Sequence, residues 1–176
     1  AKVADVNGDL KPDIFVVNGN TYNIAVFLNN GDGTFGDQTI YRVPLDANDL
    51  AFGDVNGDGS IDIALSGQFL AVVILLNDGS GRFPIEANYS ISSTSYAVEL
   101  EDVNGDNKPD IIVANTGSNT VGVLLNTGTG GTFSPQVTYP TGNYPNRLEV
   151  TDVNADNRVD IIVANRNGNS TSVLLN

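Results

Sequence analysis

The sequence contains no cysteine and no histidine. Without cysteine, disulfide bonds, thiolate chemistry and cysteine-based zinc sites are excluded. Without histidine, the chain lacks the commonest general base and the usual ligand of transition metals, so any bound metal should be a hard cation held by oxygen atoms. Methionine is absent too, including at the first position. We therefore expect the chain to be a processed product or a piece of a longer protein.

Long apolar runs are also missing. Hydrophobic residues make up 40% of the chain, but no run approaches the roughly 18 residues that span a membrane. The first residues, Ala1 to Asp5, do not form a signal peptide. At 176 residues the chain is long enough for one domain with a substantial core. These features favour a single domain, residues 1–176, that does not insert into a membrane.

Basic residues are few. Eight Lys and Arg face 21 Asp and Glu, which gives a formal net charge of −13. Twelve of the acidic residues lie in four copies of one motif, and outside the motifs the charges nearly balance. Four bound divalent cations would bring the formal charge from −13 to −5. An acidic surface repels phosphate backbones, so we expect no nucleic-acid partner.

The repeated motif is Asp-x-Asn-x-Asp-x-x-x-Asp, and its copies begin 49, 48 and 50 residues apart. Positions 1, 3, 5 and 9 carry side-chain oxygens, and a backbone carbonyl at position 7 can complete a tight Ca²⁺ loop. The sequence therefore predicts up to four Ca²⁺ ions, one in each repeat. The predicted ligands are Asp5, Asn7, Asp9, Lys11 and Asp13; Asp54, Asn56, Asp58, Ser60 and Asp62; Asp102, Asn104, Asp106, Lys108 and Asp110; and Asp152, Asn154, Asp156, Arg158 and Asp160, with the position-7 residues acting through their carbonyls.

Two other interpretations of the motif are weaker. Asn-Gly and Asp-Gly pairs are strong hairpin signals, but a plain hairpin does not need aspartate at positions 1 and 9. An EF-hand loop needs an acid at position 12 and flanking helices, whereas position 12 here is apolar and the flanks favour strands.

Carboxylates about 4 Å apart repel each other by about 1–4 kcal/mol, which favours a bound cation. Mg²⁺ fits less well because it prefers to keep several waters in octahedral geometry.

Each motif opens a repeat with the pattern of a four-stranded sheet. An apolar run follows the motif, then a polar segment, a second apolar run, a Gly-rich turn and a segment that carries Tyr41, Tyr89 or Tyr139. Alternation and β-branching favour strands, and about 40–50 residues is the usual size of a propeller blade. The prediction is an all-β fold of β-propeller blades with four antiparallel strands. The repeat units are approximately 1–48, 49–96, 97–146 and 147–176. The last unit lacks its fourth strand, so the chain holds about 3.75 blades. Further repeats or other copies of the chain would close the propeller ring.

The motif loops, followed by Asp-Ile-x-Val/Ala strands, resemble the FG-GAP/VCBS repeats of integrin α-subunit-like β-propellers. The resemblance covers nearly the whole chain. It implies extracellular blades, each with Ca²⁺ in the loop between its first two strands. Directly before a motif, the Phe-Gly pair survives only at Phe52-Gly53, and Gly-Ala-Pro is replaced by segments such as Val17-Asn18-Gly19. Integrin ligand specificity is therefore not carried over.

The expected function is that of a secreted or cell-surface calcium-binding module in adhesion, glycan or protein binding, or assembly. Recognition should use the loops opposite the motifs, since the motif positions are structural. Two Asn-x-Ser/Thr sequons are glycosylation candidates. The recognition candidates are Tyr22, Gln68, Asn119, Tyr144, Arg147 and Arg166, and the sequon asparagines are Asn88 and Asn169.

Two alternative functions stay open. The near-identical repeats and open strand edges suit a filament or surface-coat subunit that self-associates. A polysaccharide lyase or hydrolase could use the remaining carboxylates Glu99, Glu101 and Glu149. Glu99 and Glu149 occupy equivalent repeat positions, however, which favours a scaffold role. Without histidine, cysteine or a unique constellation, we expect no catalytic residue.

Overall fold

The computed structural model describes residues 1–128 and 130–176. These residues form fifteen β-strands and no helix, and so no helix that could cross a membrane. The strands are β1 Lys2–Ala4, β2 Asp13–Asn18, β3 Asn23–Phe27, β4 Thr39–Arg42, β5 Ala47–Gly53, β6 Asp62–Gly67, β7 Ala71–Leu76, β8 Ile85–Ser90, β9 Ser95–Glu101, β10 Asp110–Asn115, β11 Thr120–Leu124, β12 Val137–Pro140, β13 Pro145–Thr151, β14 Asp160–Asn165 and β15 Ser170–Leu174.

The strands form four antiparallel sheets in which each strand pairs with its neighbours in sequence. Blades 1, 2 and 3 are β1–β4, β5–β8 and β9–β12, and blade 4 is the three-stranded sheet β13–β15. The prediction of four-stranded antiparallel blades is confirmed. The later blades begin at Ala47, Ser95 and Pro145, slightly before the unit boundaries that were read from the motif spacing.

The apolar core lies between the blades. Along each second strand, alternate side chains point to opposite faces of the sheet. In β6, Ile63 and Leu65 pack against blade 1, and Ala64 packs against blade 3. Three clusters result, one at each contact between consecutive blades. Because both faces of the second strands are buried, their sequences are continuous apolar runs and do not alternate between apolar and polar residues.

Aromatic pairs reinforce two of these contacts at the outer strands. Tyr41 of β4 and Phe83 of blade 2 meet edge to face, with ring centroids 5.4 Å apart. Tyr89 of β8 and Phe133 of blade 3 repeat the arrangement at 5.1 Å. Such pairs contribute about 0.5–1.5 kcal/mol beyond the area that they bury. The same contact therefore recurs from blade to blade.

Because consecutive strands are antiparallel, the connections between them lie alternately at two opposite ends of the sheets. We call one the motif end: it carries the loops 5–12, 54–61, 102–109 and 152–159 and the turns between third and fourth strands. We call the other the variable end. It carries the loops 19–22, 68–70, 116–119 and 166–169 and the blade-to-blade loops 43–46, 91–94 and 141–144.

Candidate metal-binding loops and the opposite face

The first aspartate of each motif organises its loop. In the second loop, Asp54 Oδ1 accepts hydrogen bonds from the backbone N–H groups of Gly57 at 2.8 Å and Asp58 at 3.1 Å. Its Oδ2 accepts from Gly59 N–H at 2.8 Å. The other three loops repeat this pattern at Asp5, Asp102 and Asp152. The loop is thus wrapped around a carboxylate with its amides pointing inward.

Positions 3 and 5 of the motif continue the pattern. In the second loop the Asn56 Oδ1 accepts from Asp58 N–H at 2.9 Å, and Asp58 Oδ1 accepts from Ser60 N–H at 2.8 Å. Equivalent bonds form in the other loops. Each side chain therefore supports the turn two residues further along.

Two positions in every loop have left-handed backbone. Position 4 has φ between 64° and 80°, and position 6 has φ between 62° and 87°. Glycine adopts this region without cost, whereas side chains with a Cβ are strained there. Position 4 is glycine in three loops and Ala155 in the fourth, whereas position 6 is glycine only at Gly59. Leu10 occupies position 6 of the first loop and is 92% exposed.

The aspartate at position 9 is fully buried in all four motifs. In blade 2, Asp62 Oδ2 accepts from Val55 N–H at 3.0 Å and Oδ1 accepts from Asn77 N–H at 2.8 Å. Asp13, Asp110 and Asp160 make the same pair of bonds. This carboxylate therefore ties the motif loop to the end of the third strand in its own blade.

Asparagines at the ends of the third strands were missed as functional residues. The Asn77 side-chain amide donates to Val6 O of blade 1 at 2.7 Å and to Ile61 O at 2.9 Å. Asn126 donates in the same way to Val55 O of blade 2 at 2.9 Å. The signal in the sequence was the recurrence of asparagine after each second apolar run. Asn77, Asn126 and Asn176 are called the inter-blade asparagines below.

The position-9 aspartates and the inter-blade asparagines form one hydrogen-bonded series. Val55 illustrates a link: its N–H donates to Asp62, and its carbonyl accepts from Asn126 of the next blade. Asn176 continues the series to Val103 O at 2.7 Å. The motif loops of all four blades are therefore coupled through polar contacts, which are buried between blades 1, 2 and 3 and exposed between blades 3 and 4.

The aspartates of the motif have different electrostatic environments. Burial raises the pKa of Asp62 to about 6, although the two backbone hydrogen bonds oppose this and the charges of Asp58 and Asp54 add to it. Burial also raises the pKa of Asp110. Burial alone would raise the pKa of Asp102, but four backbone N–H groups together lower it. The pKa is therefore raised at Asp62 and Asp110, which occupy position 9, and lowered at Asp102 and Asp152, which occupy position 1.

The donor set of each loop suits a hard cation, because it consists of carboxylate, amide and carbonyl oxygens. Within residues 1–128 and 130–176, however, no three acidic side chains gather in the way that a metal ion requires. Two loops carry an internal counter-charge: Lys11 Nζ lies 3.4 Å from Asp9, and Lys108 Nζ lies 3.5 Å from Asp106. The chemistry of the ligands supports calcium, and the arrangement of the side chains adds no support.

At the variable end, the structure brings together three predicted recognition residues. Asn119 Oδ1 accepts from Tyr144 N–H, and Arg166 N–H donates to Tyr144 O, both at 2.9 Å. The Tyr144 ring lies 6.0 Å from that of Tyr96. Arg147 lies within β13 instead of in a loop, and its guanidinium donates to Tyr96 O at 3.1 Å. Tyr96 is thus a member of this group that sequence reasoning missed.

The other two predicted recognition residues lie on neighbouring loops of blades 1 and 2. The Tyr22 ring is 6.2 Å from Phe69, which directly follows Gln68. Tyr22 and Phe69 are 48% and 47% exposed. Phe69 was not predicted, although an aromatic residue in a turn was a usable signal. Aromatic side chains therefore occur in two places at this end, exposed at Tyr22 and Phe69 and half-buried at Tyr96 and Tyr144.

A polar cavity of about 430 Å³ lies along the first strands. Its lining includes Lys2, Asp49, Glu99 and Glu149. Lys2 Nζ donates to Glu99 at 3.1 Å and lies 3.9 Å from Asp49. Burial raises the pKa of Glu99, against the opposing effect of Lys2. Two of the carboxylates that the catalytic alternative needed thus line one cavity, and one of them is paired with a lysine.

Both sequon asparagines are exposed. Asn169 lies in the β14–β15 loop at the variable end, and Asn88 lies in β8, where its amide donates to Glu86 at 3.2 Å. Their positions leave both accessible for modification.

The sequence pattern of FG-GAP-like repeats matches residues 5–65, 54–113 and 102–163. Each match begins at the first aspartate of a motif and ends in the second strand of the following blade. The chain belongs to the FG-GAP-like repeat family. The predicted resemblance is confirmed in this respect. No curated protein matches the sequence.

Solved structures share the fold of these FG-GAP-like repeats. A lectin of Agrocybe aegerita that specifically recognises non-reducing terminal N-acetylglucosamine matches with a TM-score of 0.62 and 22% identity, over 99% of this chain and 51% of the lectin. BBS1N, solved in complex with ARL6DN, matches with a TM-score of 0.62 and 12% identity, over 98% of this chain and 55% of BBS1N. The chain thus spans about half the length of both. At these identities the likeness establishes the β-propeller fold alone.

Replacing Asn77 by alanine should destabilise these FG-GAP-like repeats by at least about 2 kcal/mol, since each buried group left unpaired costs about 1–3 kcal/mol. Asn29→Ala is the matched control: among the described residues its side-chain nitrogen donates to the exposed Pro12 O of its own blade at 3.0 Å, and its oxygen accepts from Gly31 N–H at 2.8 Å. We expect it to cost less than about 1 kcal/mol. Urea denaturation measures both. Equal losses would show that the inter-blade bond contributes nothing.

The carboxyl of Asp62 should titrate near pH 6 in metal-free protein, because burial raises its pKa to about 6. The folded state then binds a proton that the unfolded state releases near pH 4. The contribution of Asp62 to the free energy of unfolding in EDTA should therefore rise as the pH falls from 7 towards 4. Carbon-detected NMR can follow the titration, with Asp62→Asn used to assign the signal. A midpoint near pH 4 would contradict the assignment.

Proposed function

We propose that the chain is a calcium-stabilised extracellular recognition module that binds a glycan through its variable end. The observation that carries the proposal is the separation of the two ends. Four copies of one oxygen-rich loop lie at the motif end, while the exposed and neighbouring rings of Tyr22 and Phe69 lie on loops of the variable end. Loops that repeat in every blade suit a structural role such as holding an ion, whereas loops that differ between blades suit the recognition of a specific ligand.

Donor chemistry supports the calcium part of the proposal. Each motif offers three carboxylates, one amide and one carbonyl, all of them oxygen ligands of the kind that Ca²⁺ takes. The ligands are those predicted from the sequence, positions 1, 3, 5, 7 and 9 of every loop. A cation there would offset the negative charge that the three carboxylates give to each loop. The ion would stabilise the loops and take no part in a reaction.

Backbone strain at the variable end supports the recognition part. Tyr22 and Tyr144 have φ of 53° and 61°, and Asn119 has φ of 55°. Left-handed backbone is uncommon for bulky side chains and clusters at ligand-binding sites. Aromatic rings offer flat apolar faces against which sugar rings can pack, and the amides of Gln68 and Asn119 can bond hydroxyl groups. The match to a lectin that recognises N-acetylglucosamine makes a glycan the first ligand to test.

Removal of calcium should lower the melting temperature. A site saturated at about 100 times its Kd adds about 2.7 kcal/mol, and for a chain of this size EDTA should lower Tm by about 5 °C or more. In calcium titration calorimetry, the Asp58→Asn variant should bind one ion fewer than the unmodified chain. Asp37 is an exposed acid outside the loops, so Asp37→Asn should leave the number of bound ions unchanged. Magnesium should substitute poorly. An unchanged Tm in EDTA would overturn the calcium assignment.

Glycan binding should depend on the exposed aromatic pair of the variable end. On a glycan array, Tyr22→Ala and Phe69→Ala should each weaken binding about tenfold or more, because each removes a ring that a sugar can contact. Phe35→Ala is the matched control, since Phe35 is 40% exposed but lies at the motif end. A loss confined to Phe35→Ala, or binding of a protein and no glycan, would contradict the proposal.

A further inference from the structure

The connection 43–46 joins blade 1 to blade 2 and is hydrogen-bonded to two loops of the variable end, 19–22 and 68–70. Two of its side chains, those of Val43 and Leu45, are buried in the apolar cluster between the two blades. Close packing of such side chains leaves little freedom to the backbone that carries them. The connection is therefore a fixed support for the two loops beside it.

The backbone of Asp46, the last residue of this connection, holds loop 68–70. Asp46 O accepts a hydrogen bond from Gln68 N–H at 3.1 Å. The two segments approach so closely that a Cβ on Gly67 would overlap Asp46 O, so only glycine fits there. On its other side the loop accepts a hydrogen bond from Ile91 N–H at 3.0 Å. Backbone groups therefore hold this loop on both sides, whatever side chain stands at position 46.

The carboxylate of Asp46 holds the other loop. Its Oδ1 accepts a hydrogen bond from Asn20 N–H at 2.6 Å. A second bond to the connection runs from Val43 N–H to Tyr22 O at 3.0 Å. Two bonds fix the orientation of a short loop, whereas one bond alone leaves the loop able to rotate about it. The Asp46 side chain therefore decides the orientation of the segment that carries Tyr22.

Loop 19–22 needs this support because its backbone conformation is unfavourable. Asn20 and Tyr22 have φ of 63° and 53°. Residues with a Cβ stay in this left-handed region only where the surrounding structure compensates the cost. A hydrogen bond to a carboxylate is stronger than one between neutral groups. The bond from Asn20 N–H to Asp46 therefore helps to keep the loop in its strained form.

The two loops together define the geometry of an aromatic pair. The rings of Tyr22 and Phe69 lie 6.2 Å apart and are tilted by 57° relative to each other. Both side chains are about half exposed, so both rings offer surface to a ligand. A ligand that packs on both rings must match their spacing and tilt. Whatever orients Tyr22 relative to Phe69 therefore selects the ligands that fit.

The carboxylate bond distinguishes this pair of blades from the next two. Thr94 and Tyr144 take the place of Asp46 in the connections 91–94 and 141–144. Their carbonyls also accept a hydrogen bond from the following blade, at 2.9 Å in both cases. A bond between backbone groups makes no demand on side chains, so it recurs although the loops differ. Asp46 adds a side-chain bond where the exposed aromatic pair lies.

We propose that Asp46 is the positioning residue of the recognition site formed by Tyr22 and Phe69. Its carbonyl and its carboxylate join two loops from different blades to one support, and the carboxylate sets the angle at which the Tyr22 ring faces Phe69. The selection of a ligand rests on the glycan-binding function proposed above. The arrangement of the rings is a property of the free chain and does not depend on that function.

NMR of the free chain tests the positioning. Nuclear Overhauser effects between the rings of Tyr22 and Phe69 should be present in the unmodified chain and lost in Asp46→Ala, because alanine removes the acceptor of Asn20 N–H. Asp46→Asn should keep them, since an amide oxygen can accept the same bond. Thr94→Ala, at the equivalent place between blades 2 and 3, should leave them unchanged. Rings that keep their spacing in Asp46→Ala would overturn the proposal.

Glycan binding tests the consequence for recognition, on an array that includes oligosaccharides ending in N-acetylglucosamine. Asp46→Ala should bind the tightest glycan of the array about tenfold more weakly, while its melting temperature changes little because the core between the blades is intact. Asp46→Asn should bind like the unmodified chain, and an equal loss in both variants would contradict the positioning role. A chain that binds no glycan would refute the proposed function, and the ring measurements would still decide the role of Asp46.

Discussion

The structure depends on four buried aspartates at position 9 of the repeated motif. Each is inaccessible to water, and each accepts one hydrogen bond from its own motif loop and one from the end of the third strand. A buried carboxylate without partners would be very costly, so both bonds are needed. Asn77 and its equivalents then extend this contact to the preceding blade. The loops, the strands and the blade order are therefore held by the same few polar groups.

This constraint explains why the two ends of the sheets differ. At the motif end, any change in a loop disturbs a hydrogen-bonded series shared by neighbouring blades, so the loops are near copies of one another. At the variable end, connections such as 19–22 and 68–70 support no such series, and they can differ in sequence and expose aromatic side chains. The loops that build the structure are therefore spatially separate from the loops that are free to recognise a ligand.

Much of the fold could be predicted from the sequence because the repeat is long and regular. The spacing of Asp5, Asp54, Asp102 and Asp152 predicted four sheets, and the apolar runs predicted which strands are buried. The roles within the motif were harder to predict. The motif predicted a ligand at position 9, and the structure adds that this carboxyl is fully buried and accepts hydrogen bonds from two backbone amides. Only folding brings Asn77 next to Val6, which is 71 residues away.

The sequence by itself determined the four repeats within residues 1–176, their strand order and the oxygen-rich chemistry of the loops, because these depend on local pattern and spacing. Tertiary structure decided which of these groups meet. Lys2 reaches Glu99 across 97 residues, and Tyr41 meets Phe83 from the next blade. It also placed Phe133 of the following blade against Tyr89. The physical reason is that a strand's pattern specifies its own two faces, while packing between sheets decides what covers them.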